Sequence, residues 1–229
     1  MKLSKRMQRL ASLVTEGNRL ADVGTDHGYI PIALVQEGKI PHAIAMDVNA
    51  GPLSRAIEHI RESGLSTYIE TRQSDGLAGL LPKEADTVLI AGMGGMLTVR
   101  ILEGGGHCLG TVKELILQPQ SDIQEVRRWL GLHGFQIVAE DVVCEEGKYY
   151  PMMRSVPGPA DQLSEAELHY GKLGLQRSPE VLFCWLGEKL AGYEKILDAL
   201  GKKEKSVSWR GAELERQTAL IRQILAKLP

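Results

Sequence analysis

Only three cysteines occur in the sequence, Cys108, Cys144 and Cys184, well separated and outside any Cys-x-x-Cys pair. That spacing supports neither a disulfide framework nor a zinc site, so idle or buried thiols and no bound metal are expected. Long hydrophobic runs are missing as well, and the opening MKLSKRMQRLASLV carries basic residues without the unbroken apolar core of a signal peptide. Both absences lead to the expectation of a soluble, cytoplasmic protein with no membrane partner. Positive charge is not in excess: 27 Lys and Arg stand against 29 Asp and Glu, a formal charge of -2. A surface coated in cations for indiscriminate nucleic-acid binding is thereby excluded, whereas a local basic patch is not. Low complexity is confined to the short stretch GKKEKSVS, and no long-period repeat is visible. What is present is a chain of 229 residues, 43% hydrophobic and 24% charged, long enough to bury a substantial core as one large domain or one domain with an appendage.

Up to about Val156, short apolar runs alternate with segments of helical period, the pattern of a mainly parallel sheet covered by helices on both faces. The strand candidates are RLADVG, HAIAMDV, YIETRQS, DTVLIAG and ELILQP. Between them, NAGPLSRAIEHIRESG places Pro52 in a first helical turn and Gly64 after the last, and SDIQEVRRWLGLHG opens on a capping residue and stops at Gly134. FQIVAEDVVCEEGKYYPMMRSV reads as two more strands joined by a turn at Gly147, so that one strand of the sheet runs backwards.

Composition changes at VPGPADQ, which reads as a linker dividing residues 1–157 from a helical unit at 158–229. There Ser164 to Glu167 matches a capping box, and Ser178 followed by Pro179 starts a further helix. Leu186, Leu190, Tyr193, Leu197 and Leu200 are spaced four, three, four and three, and Leu214, Thr218, Ile221, Leu225 and Leu228 repeat that spacing. Two such seams suggest an antiparallel, coiled-coil-like hairpin; packing of both stripes on the main domain is the alternative.

LADVGTDHGYIPIAL follows the frame acidic-x-Gly-x-x-x-Gly with Asp22, Gly24 and Gly28, and this resembles the first motif of S-adenosylmethionine-dependent methyltransferases with a Rossmann-like sheet. Gly24 allows a sharp turn and close backbone approach, and Gly28 lets the next helix start close to the strand. A dinucleotide site needs small residues and helix amides around a pyrophosphate, but Asp26 stands where the middle glycine belongs and would repel one. S-adenosylmethionine has no phosphate and carries a sulfonium cation, so an acidic turn suits it. Asp47, beside Val48 at the end of the second strand, can accept from two ribose hydroxyls, or simply end the strand. Asp75 and Gly76 follow the third strand, where they can meet an adenine edge or form an ordinary Asp-Gly turn. Gly92, Met93 and Gly94 follow the fourth, where the glycines allow backbone to approach a flat ligand or open a helix. The set of Asn or Asp, two prolines and an aromatic that many amino-group methyltransferases carry there is absent, which favours a ring nitrogen as acceptor.

SKRMQRLASLV, LADVGTDHGYIPIAL, AMDVN, SDGL, IAGMGG and LQPQSD, in that order and followed by a helical tail, resemble the bacterial tRNA (adenine-22-N1)-methyltransferase family over essentially the whole chain. The resemblance implies a Rossmann-like class I methyltransferase sheet with a C-terminal α-helical hairpin, S-adenosylmethionine as cofactor, tRNA as partner, and methyl transfer to N1 of an adenine in the D-arm region. Adenine N1 already holds an in-plane lone pair, so alignment and stabilisation of a cationic product are the main demands. Asp26 is the candidate catalytic carboxylate, with a cofactor-side or turn-capping role as the alternative. His27 can donate to the cofactor carboxylate, shuttle a proton or serve as a fixed hydrogen-bonding group, and Tyr29 can offer an aromatic face or pack in the core. Lys5, Arg6 and Arg9, with Lys2, make a basic face opposite Leu3, Met7, Leu10 and Val14; Lys202, Lys203, Lys205 and Arg210, with Trp209 among them, make a second. Both are candidate RNA contacts or solvated surface. A methyltransferase for another RNA or a small heteroaromatic substrate, and a non-catalytic tRNA-binding module, remain as rival readings.

Overall fold

Five strands that begin as short apolar runs assemble in parallel: β1 (Leu20–Val23), β2 (Ala43–Asp47), β3 (Ile69–Gln73), β4 (Thr87–Met93) and β5 (Glu114–Pro119). The computed structural model describes residues 3–159, 162–201 and 209–227. Two longer strands, β6 (Phe135–Glu145) and β7 (Lys148–Pro157), turn at Glu146 and Gly147, both with positive φ. β7 inserts between β5 and β6 and runs antiparallel to each, giving a seven-stranded sheet of order β3-β2-β1-β4-β5-β7-β6. The backward strand expected from the sequence is thus β7.

All four residues of β1 are buried, as befits a central parallel strand covered on both faces. One face carries α1 (Lys5–Leu13), α2 (Tyr29–Gln36) and α3 (Ala50–Glu62), whose Leu10, Leu13, Ile32, Leu34 and Ile60 pack with Leu20, Leu89 and Ile116 of the strands. The other carries α4 (Gly95–Gly104), the single turn α5 (Gly106–Leu109) and α6 (Ile123–Leu132), built around Val88, Ile90, Leu102, Leu115 and Leu130. Each such large side chain taken fully out of water contributes roughly 1.5–3 kcal/mol, which is why the two faces need no further staple. α3 begins and ends where Pro52 and Gly64 indicate. α6 starts after Asp122, whose side chain makes no cap bond and whose φ of 47° is left-handed.

The C-terminal helices are α7 (Glu165–Tyr170), opened by the expected capping box of Ser164 and Glu167, then α8 (Pro179–Gly201) and α9 (Trp209–Leu225), with a 3-10 turn at Leu173–Leu175 before α8. α8 and α9 pack together, but the seam is buried only at its base. Leu186 is fully buried, whereas Leu200 is 40% exposed. The apolar cluster comprises Leu182, Trp185 and Leu186 of α8, Leu220, Ile221 and Ile224 of α9, Tyr170 of α7 and Val142 of β6. Leu220 and Ile224 lie off the four-three seam because α9 meets α7 as well as α8, which widens its apolar face beyond a coiled-coil stripe. Both sequence readings of these helices therefore hold in part: they pair, and they dock on the sheet edge. A buried ion pair ties the elements beneath them. Arg127 of α6 donates to Glu140 of β6 at 2.7 and 2.9 Å and to the Leu168 carbonyl, and Glu140 also accepts from the Lys172 amide. No helix among the described residues is long and apolar enough to cross a membrane.

Candidate functional site

Strand order reverses between β1 and β4: the chain proceeds outward from β1 to β2 and β3 on one side and from β4 to β5 on the other. Parallel sheets bind ligands in the crevice that opens above such a reversal, at the C-terminal strand ends. A cleft of about 280 Å³ lies there, lined by Asp22 of β1, residues 24–30 that follow it, Ala91 and Gly92 of β4, Gln120 after β5, and Arg6, Met7 and Leu10 of α1.

The turn after β1 is folded onto β2, with the amides of Gly24 and Thr25 both donating to the Met46 carbonyl. Gly24 has a φ of 77°, and a Cβ placed on it would stand 2.0 Å from the Met93 methyl, so Met93 lies directly across the turn. Gly28 caps α2 in the left-handed conformation, against Ala56 and Ile60 of α3. Asp22 is buried beneath this turn. Burial raises its carboxyl to about 6, a hydrogen bond with Thr25 opposes the rise, and the charge of Asp47 adds to it.

That shift has a definite consequence for stability. A carboxyl whose folded pKa lies above its ordinary value favours the folded state fully below pH 4, and the benefit disappears as pH rises through 6. At two pKa units the change is about 3 kcal/mol. Asp22→Asn is therefore expected to match the parent in urea unfolding at pH 4 and to exceed it by up to about 3 kcal/mol at pH 7. A difference that stays constant across this range contradicts a buried ionising carboxylate at Asp22.

Asp26 is the exposed member of the turn. It pairs with Arg55 of α3, and its other oxygen lies 3.4 Å from His27 Nε2. The rings of His27, Tyr29 and His59 stack with centroids 4.8 to 5.4 Å apart, and His59 Nδ1 lies 3.1 Å from the His27 carbonyl. Arg55 and His59 escaped the reading of the sequence. Their i,i+4 spacing, which puts both on the α3 face toward the turn, was the available signal.

Asp47 ends β2, where one carboxylate oxygen accepts from the Asn49 amide at 2.7 Å, and Val48 beside it is 52% exposed. Asp75 is largely exposed, 3.8 Å from Arg100, and Gly76 turns with a φ of 56° against Ile101. These groups occupy successive strand ends from β1 to β3. Gly92, with a φ of 79°, faces Arg6 and Gln120. Gly94 and Gly95 instead face Ser121 and Asp122 of the loop after β5, so close approach here is between two loops of the protein.

The basic face of α1 is divided. Arg9 Nε lies 2.9 Å from the buried carboxylate of Asp141, and the Lys5 amide donates to Glu145, both on β6. Arg6 turns into the cleft, where its Nη1 donates to Gln118 Oε1 at 2.9 Å. Gln118 and Gln120, which sequence reasoning missed, come from the segment LQPQSD. Arg210 is exposed at the start of α9 beside Trp209, which is 82% exposed. Lys202, Lys203 and Lys205 lie outside the described residues. Among the described residues, no group of three His, Cys, Asp or Glu side chains could hold a metal ion.

Residues 3–153 match the family model of a methyltransferase domain. A Bacillus subtilis (strain 168) protein named tRNA (adenine(22)-N(1))-methyltransferase is 38% identical over 98% of both chains. Among solved structures, a Streptococcus pneumoniae protein in complex with S-adenosyl-L-methionine superposes with a TM-score of 0.86 at 35% identity, covering 98% of this chain and 100% of that one. M. capricolum TrmK, in complex with S-adenosyl-homocysteine, gives 0.88 at 27% identity over 100% of both chains.

Proposed function

Because the chain belongs to the tRNA (adenine(22)-N1)-methyltransferase family, we propose that its cleft at the β1–β4 reversal is where S-adenosylmethionine meets an adenine of tRNA, in the cytoplasm. The protein is an S-adenosylmethionine-dependent methyltransferase with a Rossmann-like sheet, acting on N1 of adenine in tRNA. The observation that carries the placement is the acidic turn at the switch point. Asp22 places a carboxylate beneath the turn where a pyrophosphate site keeps neutral backbone, which fits a cationic ligand, while the charge of Asp26 is matched by Arg55.

The residues present fit the cofactor. Gly24 lets the turn after β1 close against Met93, Asp47 at the end of β2 offers a carboxylate to two ribose hydroxyls, and the exposed Val48 gives an apolar surface beside it. Asp75 and Gly76 stand at the next strand end for the adenine, His27, Gly28 and Gly92 line the cleft, and Met93 and Gly94 support it, Met93 across the turn from Gly24 and Gly94 against Ser121. When bound, the cofactor supplies an electrophilic methyl group. The chain's task is to bring N1 onto its axis, exclude water, and accept a base that becomes cationic. In this reading residues 1–157 hold the cofactor, while 158–229, with Lys202, Lys203, Lys205 and Arg210 together with Lys5 and Arg9, hold tRNA. Tyr29 faces the substrate from the stack with His27.

Asp47→Ala tests the placement, since it removes a charged acceptor worth roughly 1.5–3 kcal/mol. Calorimetry with S-adenosylmethionine is expected to show an affinity about 10- to 100-fold weaker, because each 1.4 kcal/mol is tenfold. Unchanged affinity removes Asp47 from the site.

The Arg55 pair favours one of the two roles open to Asp26. A carboxylate already matched to a guanidinium stabilises a developing cation less, and it fixes the turn on the cofactor side. For Asp26→Asn, single-turnover assays with tRNA in excess are expected to show weaker cofactor affinity and a methyl-transfer rate near the parent's at saturating cofactor. A depressed rate at saturation would instead place Asp26 beside the reacting base.

A further inference from the structure

Arg6 differs from the arginines around it. Among the described residues, Arg9 is paired with Asp141, Arg55 with Asp26 and Arg100 with Asp75, but Arg6 forms no ion pair with a carboxylate. Its partner is Gln118, a neutral amide that is 1% exposed, through the 2.9 Å bond from Nη1, and its guanidinium lies 5.4 Å from the centre of the Tyr150 ring. Amide and ring fix the direction of the guanidinium without consuming its charge. A carboxylate at position 118 would have neutralised it. Arg6 lines the cleft, with Nη1 itself beside Gly92 and Gln120.

The position of this cation within the sheet narrows its ligand. Gln118 belongs to β5, Tyr150 to β7 and Gly92 to β4, all on the far side of the strand-order reversal from Asp47 and Asp75. The cofactor, in the reading above, runs from β3 past β1 to the end of β4; the side of β5 and β7, where Gln118 and Tyr150 hold Arg6, is left for the nucleotide that is methylated. A nucleotide in RNA brings one obligatory anion with it, its phosphate, and a planar guanidinium is suited to grip a phosphate in a fixed orientation. Resting on the methyltransferase reading of the cleft, we propose that Arg6, oriented by Gln118 and Tyr150, is the anion anchor of the substrate half and binds the phosphate of the target nucleotide. Gln118 is a positioning residue that acts through Arg6.

The cofactor's own carboxylate presents the same chemistry, so the test has arms for each source. Adenosine and adenosine 5'-monophosphate are compared as inhibitors of tRNA methylation, and S-adenosylmethionine affinity is measured by calorimetry. With the parent enzyme the monophosphate is expected to inhibit about tenfold more strongly than adenosine, the worth of one charge-assisted contact. With Arg6→Gln that preference disappears, the tRNA KM rises about tenfold, and the salt dependence of tRNA binding falls by about one phosphate contact, while cofactor affinity stays within about twofold. Arg6→Lys retains part of the preference because the charge remains without the fork. Gln118→Glu leaves the arginine in place but neutralises it internally, so it also loses the preference, which guards against a trivial folding defect in Arg6→Gln. Weakened cofactor affinity with an intact monophosphate preference would overturn the proposal in favour of the cofactor carboxylate. Intact preference in Gln118→Glu would overturn the positioning role. Failure of the parent enzyme to bind S-adenosylmethionine or methylate tRNA would reveal a failure of the underlying reading, separately from these outcomes.

Discussion

A single methyl group added at Gly95 is expected to lower the turnover of tRNA methylation about 100-fold, the penalty for displacing a catalytic constellation by about 1 Å. A Cβ on Gly95 would lie 2.3 Å from the Ser121 carbonyl oxygen and 2.5 Å from that of Asp122. Both are backbone atoms, so relief requires moving a loop. The same contact includes a hydrogen bond from the Gly95 amide to Ser121, and the Gln120 amide donates to the Met93 carbonyl nearby. These bonds join the C-terminal end of β4 to the segment after β5, and the two bring Gly92 and Gln120 to the cleft. Gly95→Ala should also cost about 1–3 kcal/mol of stability as an overpacked contact. Steady-state kinetics beside a thermal melt provide the check, and parental turnover would show that this loop contact does not position the site.

The second large effect lies away from the cleft. Replacing Arg127 with Met is expected to destabilise the protein by about 3–5 kcal/mol, because Glu140 is left as an uncompensated charge in a buried setting. Both side chains are almost wholly inaccessible, at 3% and 2%. Glu140 also accepts from the Lys172 amide, so its loss of charge balance reaches the segment that leads into α8. The double variant Arg127→Met with Glu140→Leu should recover much of the loss, since a buried pair replaced by apolar volume is often near neutral. Urea unfolding of the two variants decides this. A single variant as stable as the parent would mean that solvent reaches the pair.

Much of this architecture was legible in the sequence because its signals are local. Apolar runs of strand length, Pro52 and Gly64 around α3, the capping box at Ser164 and the turn at Gly147 each specify backbone without reference to distant residues. The acidic turn after β1 was legible for the same reason. What escaped are features decided by which surfaces meet. The four-three spacing in α8 and α9 indicated a seam, but the third partner α7 broadened the buried face of α9. Periodicity placed Lys5, Arg6 and Arg9 on one side of α1 but could not say that β6 would engage Arg9 while Arg6 entered the cleft. The glycines at the end of β4 suggest room for a ligand or a helix start; at Gly94 and Gly95 the room is taken by Ser121 and Asp122, a contact between segments about 27 residues apart in the chain. Likewise, the charge of Asp26 was visible at once, and its partner Arg55 was not.

The central claim is that this chain methylates adenine N1 in tRNA at the β1–β4 cleft, and nucleoside mass spectrometry tests it most directly. Unmodified tRNA is incubated with the enzyme and isotopically labelled S-adenosylmethionine, digested to nucleosides, and compared with a parallel reaction on tRNA lacking the adenine at position 22. The account predicts labelled 1-methyladenosine from the first substrate and none from the second. Labelled methyl on the exocyclic amine or on another base, or no labelled nucleoside from an enzyme that binds its cofactor, would contradict it.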